Sequence, residues 1–324
     1  MYKKIALALC LAAPLSILAQ KDGNGNENVT PVPDFVIIKD PAFKKILPKN
    51  IAVEKVSTGY LFTEGPVWNK KENYLLFSDI PANIIFKLTS NGKSEVYKKP
   101  SQNSNGLTYD PKGRLVVCEQ YTKRINRFNE DGSNTVLADK FEGKTFNSPN
   151  DIVFKKNGSF FFTDPPYGHM QFNGDKPQEL SFTGVYFVKN NKVTLVDSTL
   201  IRANGVALSP DESKLYVAQS EFKWLWKIYN LDKEGKVLST SMLMEGSEIT
   251  GNPDGIKVDI EGNIYCTGNN GVVVFSKEGT YLGTIKTPEN PANLAWGDKD
   301  FKSLYVTAQK SVYRIKLNIK GYGF

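Results

Sequence analysis

Gly106-Leu107-Thr108-Tyr109-Asp110, followed by a turn at Gly113 and the run Arg114 to Cys118, is the stretch that decides the fold, because the chain repeats it. Gly205-Val206-Ala207-Leu208-Ser209, with Asp211 and the run Lys214 to Ala218, is a second copy. Gly255 to Asp259, Gly262 and the run Asn263 to Thr267 make a third. Looser copies are Gly65 to Trp68 with Tyr74 to Ser78, Asp151 to Phe154 with Ser159 to Thr163, and Leu294 to Trp296 with Ser303 to Thr307. Each copy is a short apolar run, a turn containing Gly, Asn or Asp, and another short run, with hardly any helical periodicity between them.

The residue just ahead of each first run marks the phase of the repeat: Glu64, Asn105, Asn150, Asn204, Asp254 and Asn293. Six repeats of about 40 to 50 residues built only from short strands are the signature of propeller blades, small sheets that bury their faces on their neighbours. A ring must also close. Ile51 to Phe62 has strand character ahead of the first full blade, and the last repeat ends near Ser311 to Leu317. Pairing the two would remove an exposed sheet edge. The expectation is an all-β, six-bladed β-propeller closed by an N-terminal strand, one domain over residues 34–324.

Lys3 and Lys4, the apolar stretch Ile5 to Leu18 and the small Ala19 have the order of a secretory signal peptide over residues 1–19. Leu9 before Cys10 is larger than the residue a lipid-attachment site usually has, so a lipoprotein is the lesser reading. Residues 20–33 are rich in Gly, Asn and Asp and read as a flexible leader. These features predict a periplasmic or secreted protein, and no later segment approaches the roughly 18 apolar residues of a membrane span. The formal charge is +7, but the lysines are scattered, which argues against a nucleic-acid partner. Beyond the signal only Cys118 and Cys266 remain, read as two free core thiols.

In a propeller the first strand of each blade lines the central channel, so the six marker residues converge on one mouth. All six are acid or amide. Asn-Gly and Asp-Gly are also ordinary turn chemistry, yet turns do not ask for Glu64, nor for recurrence at one phase of every blade. Two carboxylates with several amide carbonyls form the hard oxygen cage that Ca²⁺ accepts. With His169 as the single histidine, the His-rich site of a typical zinc hydrolase cannot be assembled. Without a Gly-x-Ser-x-Gly elbow, a serine hydrolase is not supported either.

Glu64-Gly65-Pro66-Val67-Trp68, Ser148-Pro149-Asn150-Asp151, Thr163-Asp164-Pro165-Pro166-Tyr167-Gly168, Ala203-Asn204-Gly205-Val206 and Pro253-Asp254-Gly255 follow one another at blade spacing. In these motifs the chain resembles the gluconolactonase family, which also contains senescence marker protein and luciferin-regenerating enzyme, from about residue 50 to the C-terminus. The resemblance implies a six-bladed propeller holding one divalent cation through Glu64, Asn150, Asn204 and Asp254. Ca²⁺ is the expected ion, with Mg²⁺, Mn²⁺ or Zn²⁺ as substitutes in vitro. It also implies a small-molecule sugar lactone as substrate. Asp254 is then the catalytic candidate, both touching the metal and directing the attacking water. Where many bacterial relatives carry Glu-His after the second-blade strand, this chain has Glu119-Gln120, a departure that bears on which lactone it takes.

Asn105 shares the marker phase and is assigned to substrate hydroxyls or a metal-bound water, whereas Asn293 is read as a plain turn. Glu119, Arg124, Asp164 and Tyr167 lie at strand ends or loops near the mouth. Glu119 and Tyr167 are taken as pocket residues, with inter-blade structure the alternative for each. His169 falls in a long connection from Gly168 to Phe182 that could cover the site, and is read as a solvated loop residue. Trp224 and Trp226 are read as blade packing. Two rival functions stay open: a non-enzymatic propeller that keeps its metal for stability, and a hydrolase of another lactone or a phosphotriester.

Overall fold

The structure is a computed structural model that describes residues 33–172, 177–220, 225–245, 252–268 and 270–323. Residues 1–19, expected to be a signal peptide, and nearly all of the expected leader 20–33 lie outside these residues, as does Trp224. Among the described residues the strands form six antiparallel sheets and one two-stranded ribbon, Lys140–Phe141 with Lys144–Thr145. Blade 1 is Thr63–Asn69, Tyr74–Asp79, Ile84–Thr89 and Ser94–Lys98. Blade 2 is Ser104–Tyr109, Leu115–Glu119, Arg124–Phe128 and Asn134–Ala138. Blade 3 is Ile152–Phe154, Phe160–Asp164, Gly184–Lys189 and Lys192–Asp197. Blade 4 is Ala203–Leu208, Lys214–Gln219, Leu225–Leu231 and Val237–Glu245. Blade 5 runs Ile256–Val258, Ile264–Gly268, Gly271–Phe275 and Tyr281–Lys286, and blade 6 Pro291–Gly297, Ser303–Ala308 and Ser311–Lys316.

The fourth strand of blade 6 is Val53–Thr58, which pairs antiparallel with Ser311–Lys316. The predicted closure is therefore present. A second N-terminal strand, Val36–Ile38, adds a fifth strand to blade 5 against Tyr281–Lys286, a pairing the sequence did not signal.

The period of two in the second strands explains how the blades stack. In blade 1, Leu75 and Phe77 face blade 6 and join Ala295, Tyr305 and Val312, while Tyr74 and Leu76 face blade 2 and join Leu107, Leu115 and Val117. The same parity sends Val116 and Cys118 toward blade 3, Phe161 toward blade 4, Tyr216 and Ala218 toward blade 5, and Tyr265 toward blade 6. Six apolar clusters, one per blade junction, result. A strand buried on both faces is a continuous apolar run rather than an alternating one, as Leu75 to Phe77 and Phe160 to Phe162 are. Cys118 and Cys266 sit in different junctions, buried and free, as expected. Trp226 packs edge-on against Phe275 between blades 4 and 5, with ring centres 5.6 Å apart.

Among the described residues no helix is long and apolar enough to cross a membrane. Two short helices, Phe43–Ile46 and Tyr167–Phe172, interrupt the strands. The second corrects the reading of Gly168 onward as plain loop. His169 on it is buried, not solvated, with Nδ1 3.1 Å from Lys123 Nζ of blade 2.

Candidate active site

The marker residues sit where the innermost strands begin, and the backbone turns them into the channel. In blades 1, 2 and 4 the register slips at the marker: Glu64 and Val67, Ser104 and Leu107, and Ala203 and Val206 bracket a bulge against the second strand. A bulge leaves one residue unpaired and re-aims a side chain, and bulges recur beside active sites for that reason.

The glycine after the marker has a reason other than turn chemistry. A Cβ on Gly65 would lie 1.9 Å from Asn105 O, on Gly106 2.5 Å from Asn150 O, on Gly205 2.0 Å from Asp254 O, and on Gly255 2.2 Å from Asn293 Oδ1. Each glycine presses against the marker of the next blade, and backbone hydrogen bonds follow the same path: Gly106 N to Asn150 O at 2.7 Å, Gly205 N to Asp254 O at 3.1 Å. Only Gly65, at φ +49, also needs glycine's left-handed freedom. The ring of markers is thus stitched blade to blade.

Hydroxyls at the ends of second strands complete the stitching. Ser78 donates to Asn105 O at 2.8 Å, Thr163 to Asn204 O at 2.6 Å, Ser220 to Pro253 O at 2.6 Å and Thr267 to Ala292 O at 3.2 Å, each reaching into the following blade. In the sequence the second runs of blades 1, 3 and 5 end alike in Ser78, Thr163 and Thr267. The acid or amide that ends the second strand in blades 1, 3 and 4 anchors the incoming loop. Asp79 accepts from the N–H groups of Leu61 and Phe62, Asp164 from those of Asn147 and Ser148, and Gln219 from that of Ile201. Asp164 is therefore the brace of the segment that delivers Asn150, and burial pushes its pKa up to about 7.

Glu64, Asn105, Asn150 and Asn204 are buried. Glu64 Oε2 accepts from Gly65 N at 2.5 Å and from Asn293 Nδ2 at 3.1 Å. Asn204 Nδ2 donates to Ser220 Oγ at 2.8 Å, which turns its carbonyl end away, and Asp254 N donates to Thr267 Oγ1 at 3.1 Å. Three acceptors of this ring, Asn105 Oδ1, Asn204 Oδ1 and Asp254 Oδ1, are buried without a hydrogen-bond partner among the described residues. Burial raises Glu64 from an ordinary 4.5 to about 7, helped by the charge of Asp151. Burial, then Glu64 and Asp151, drive Asp254 well above the usual carboxylate range. Oxygens that lack donors, around carboxylates that repel one another, are the electrostatic complement of a cation. Among the described residues no cluster of three carboxylate, thiolate or imidazole ligands occurs, since half of this donor set is amide.

Asn293 corrects the plain-turn reading: it lies within a strand, buried, and bonds to Glu64. The other rim candidates divide. Glu119 is buried with its carboxylate held inside blade 2 by Arg124 Nε at 2.7 Å, Asn126 Nδ2 at 2.7 Å and the Thr122 hydroxyl. Arg124 is thereby turned to Glu119. Tyr167 opens the short helix above the mouth, with the Arg202 guanidinium 5.5 Å from its ring centre. Gln120 is buried against that helix, since a Cβ on Gly168 would lie 2.6 Å from Gln120 Cβ. Further down, the channel turns apolar: a cavity of about 110 Å³ is lined by residues such as Val67, Trp68, Leu107, Val206, Trp296 and Tyr322, with none of the marker side chains.

Comparison with known proteins identifies the family and the fold. The family model described as SMP-30/Gluconolactonase/LRE-like region matches residues 62–310. A gluconolactonase of Zymomonas mobilis subsp. mobilis is 33% identical over 306 residues, covering 87% of this chain and 85% of its own. The structure of a gluconolactonase from Xanthomonas campestris superposes with a TM-score of 0.80 at 27% identity, over 87% of this chain and 94% of that one. A calcium-binding protein, regucalcin, of Agrobacterium tumefaciens shares the fold, with a TM-score of 0.71 at 18% identity over 85% of this chain and 96% of that one. From the six-bladed ring, its motifs at blade phase and these matches, the chain belongs to the SMP-30/gluconolactonase/LRE-like family.

Proposed function

We propose that this protein is a metal-dependent lactonase that opens a sugar-acid lactone by attack of water on the ring carbonyl. The observation that carries the metal is the set of partnerless buried oxygens on Asn105, Asn204 and Asp254 beside Glu64. The donor set fits a hard divalent ion, Ca²⁺ above the others, held by Glu64, Asn150, Asn204 and Asp254. When bound, such an ion supplies Lewis acidity to a carbonyl oxygen. The lactone substrate is supported by the gluconolactonases that the chain resembles.

The chain's own residues supply position and a proton acceptor. Asp254, fixed through its N–H to Thr267, directs the attacking water and takes its proton. Asn105 offers its amide to a substrate hydroxyl, and Tyr167 on the rim helix borders the entrance. Lys3-Lys4, the apolar Ile5 to Leu18 and Ala19 support export to the periplasm or beyond.

The test is acid release from gluconolactone and a panel of aldonolactones, using protein stripped of metal and reloaded with Ca²⁺, Mg²⁺, Mn²⁺ or Zn²⁺, with spontaneous opening subtracted. Metal-dependent turnover that disappears in Glu64→Ala and Asp254→Ala is the expected result. Cation binding without turnover on any lactone would overturn the lactonase and leave a metal-stabilised binding propeller.

A further inference from the structure

A polar chain that runs through two of the markers, Asn293 and Glu64, ties five blades together. Asp151 of blade 3 stands where glycine stands in blades 1, 2, 4 and 5. Its Oδ1 accepts from Ile152 N at 2.9 Å, and its Oδ2 accepts from Val206 N of blade 4 at 3.2 Å and lies 3.8 Å from Lys257 Nζ of blade 5. Lys257 Nζ donates to Ile256 O at 2.9 Å and reaches Asn293 Oδ1 of blade 6 at 3.4 Å. Asn293 Nδ2 then donates to Glu64 Oε2 of blade 1 at 3.1 Å.

The direction of the Asn293 amide is over-determined. The N–H of Leu294, at 2.8 Å, and the Lys257 ammonium both need an acceptor at its Oδ1. Only the Nδ2 end is left to face Glu64. That end meets the same carboxylate oxygen that already receives Gly65 N–H, so Oε2 has two donors and Oε1 shares neither bond.

We propose that Asn293, keyed by Lys257, is a positioning residue that pins Glu64 Oε2 so that Oε1 is the oxygen presented to the cation. This rests on the cation site argued above. Partners of this kind fix the orientation of metal ligands, and their loss typically weakens metal binding about ten- to a hundred-fold.

Asn293→Asp has the same size and keeps an acceptor for Leu294 N–H and Lys257, but replaces the donor facing Glu64 by an acceptor. Added negative charge alone predicts tighter Ca²⁺ binding; loss of the pin predicts weaker binding. Calorimetric titration of the metal-stripped full chain with Ca²⁺ at alkaline pH is expected to show Asn293→Asp and Asn293→Ser weaker by about ten-fold or more. In a Glu64→Asp background, whose shorter carboxylate no longer meets Asn293, either change is expected to add less than about two-fold, because residues acting through one contact are not additive. Unchanged or tighter binding in both variants, or losses that simply multiply in the Glu64→Asp background, would overturn the proposal. A wild-type protein that binds no divalent cation would instead remove the cation site itself, an outcome the titration reports before any variant is made.

Discussion

At Gly205 a single methyl group has nowhere to go: it would lie 2.0 Å from Asp254 O and 2.9 Å from the carbon of that carbonyl. The backbone that carries the candidate catalytic carboxylate would have to move. Gly205→Ala is therefore expected to cost about 1–3 kcal/mol, the usual range for overpacking, measurable by urea unfolding. Lactone turnover is expected to fall further than the stability loss explains, because the displaced residue is Asp254. Titration gives a second prediction. Glu64 and Asp164, raised by burial to about 7, keep their protons in the folded chain at pH values where the unfolded chain, with carboxylates near 4.5 and 3.8, has lost them. The folded state then binds more protons, so the stability of cation-free protein should fall as pH rises from about 4 to 7, and Asp254, raised in the same direction, adds to that fall. Added Ca²⁺ should reverse the trend, since it binds the deprotonated carboxylates. Thermal melts across pH, with and without Ca²⁺, check both halves. At this scale the phase of Glu64, Asn150, Asn204 and Asp254 was legible because it recurs once per blade. The role of Asn293 was not, since its partners Lys257 and Glu64 come from other blades and far-off stretches of chain.

Among elements, the second strands do two jobs, and the sequence showed only one. Their apolar middles were plain; the hydroxyls at their ends recur as Ser78, Thr163 and Thr267, but nothing local to them shows that they act on the next blade. Thr163 illustrates this. Its hydroxyl donates to Asn204 O at 2.6 Å and lies 3.2 Å from Asp151 N, so it ties blade 3 to the marker of blade 4. Thr163→Val keeps the shape and leaves a buried carbonyl short of a donor. A loss of about 1–3 kcal/mol is expected, together with weaker Ca²⁺ binding through the displaced Asn204, read by unfolding and calorimetry respectively. A variant that lost stability but kept full cation affinity would show that the staple holds the blades without tuning the site. The rim helix Tyr167–Phe172 was illegible for a different reason: six residues are too few for a helical period to emerge, and the partner of the buried His169 is Lys123, far off in the chain on blade 2.

For the whole molecule, ring closure follows from the number and length of the repeats, and the sequence expressed it as a leftover strand before blade 1 and a blade short of one strand at the end. The second N-terminal strand could not be inferred that way, because blade 5 already has four strands of its own. The two strands should accordingly differ in consequence. A chain beginning at Lys39 loses Val36–Ile38 and the bonds around Phe35, but keeps Phe43, Ile46 and Ile51 in the core and all four strands intrinsic to blade 5. It is expected to fold as a closed ring with a lowered melting temperature and intact cation binding. A chain beginning at Gly59 loses Val53–Thr58 as well, leaving Ser311–Lys316 as an open edge with Val312, Tyr313 and Ile315 no longer covered. An uncovered edge of this kind templates association, and blade 1 loses its covalent route to blade 6. Size-exclusion chromatography and melting should show aggregation or loss of a single cooperative transition for the second truncation alone. Equal behaviour of the two would mean that the inter-blade cores, and not the shared sheet, hold the ring shut.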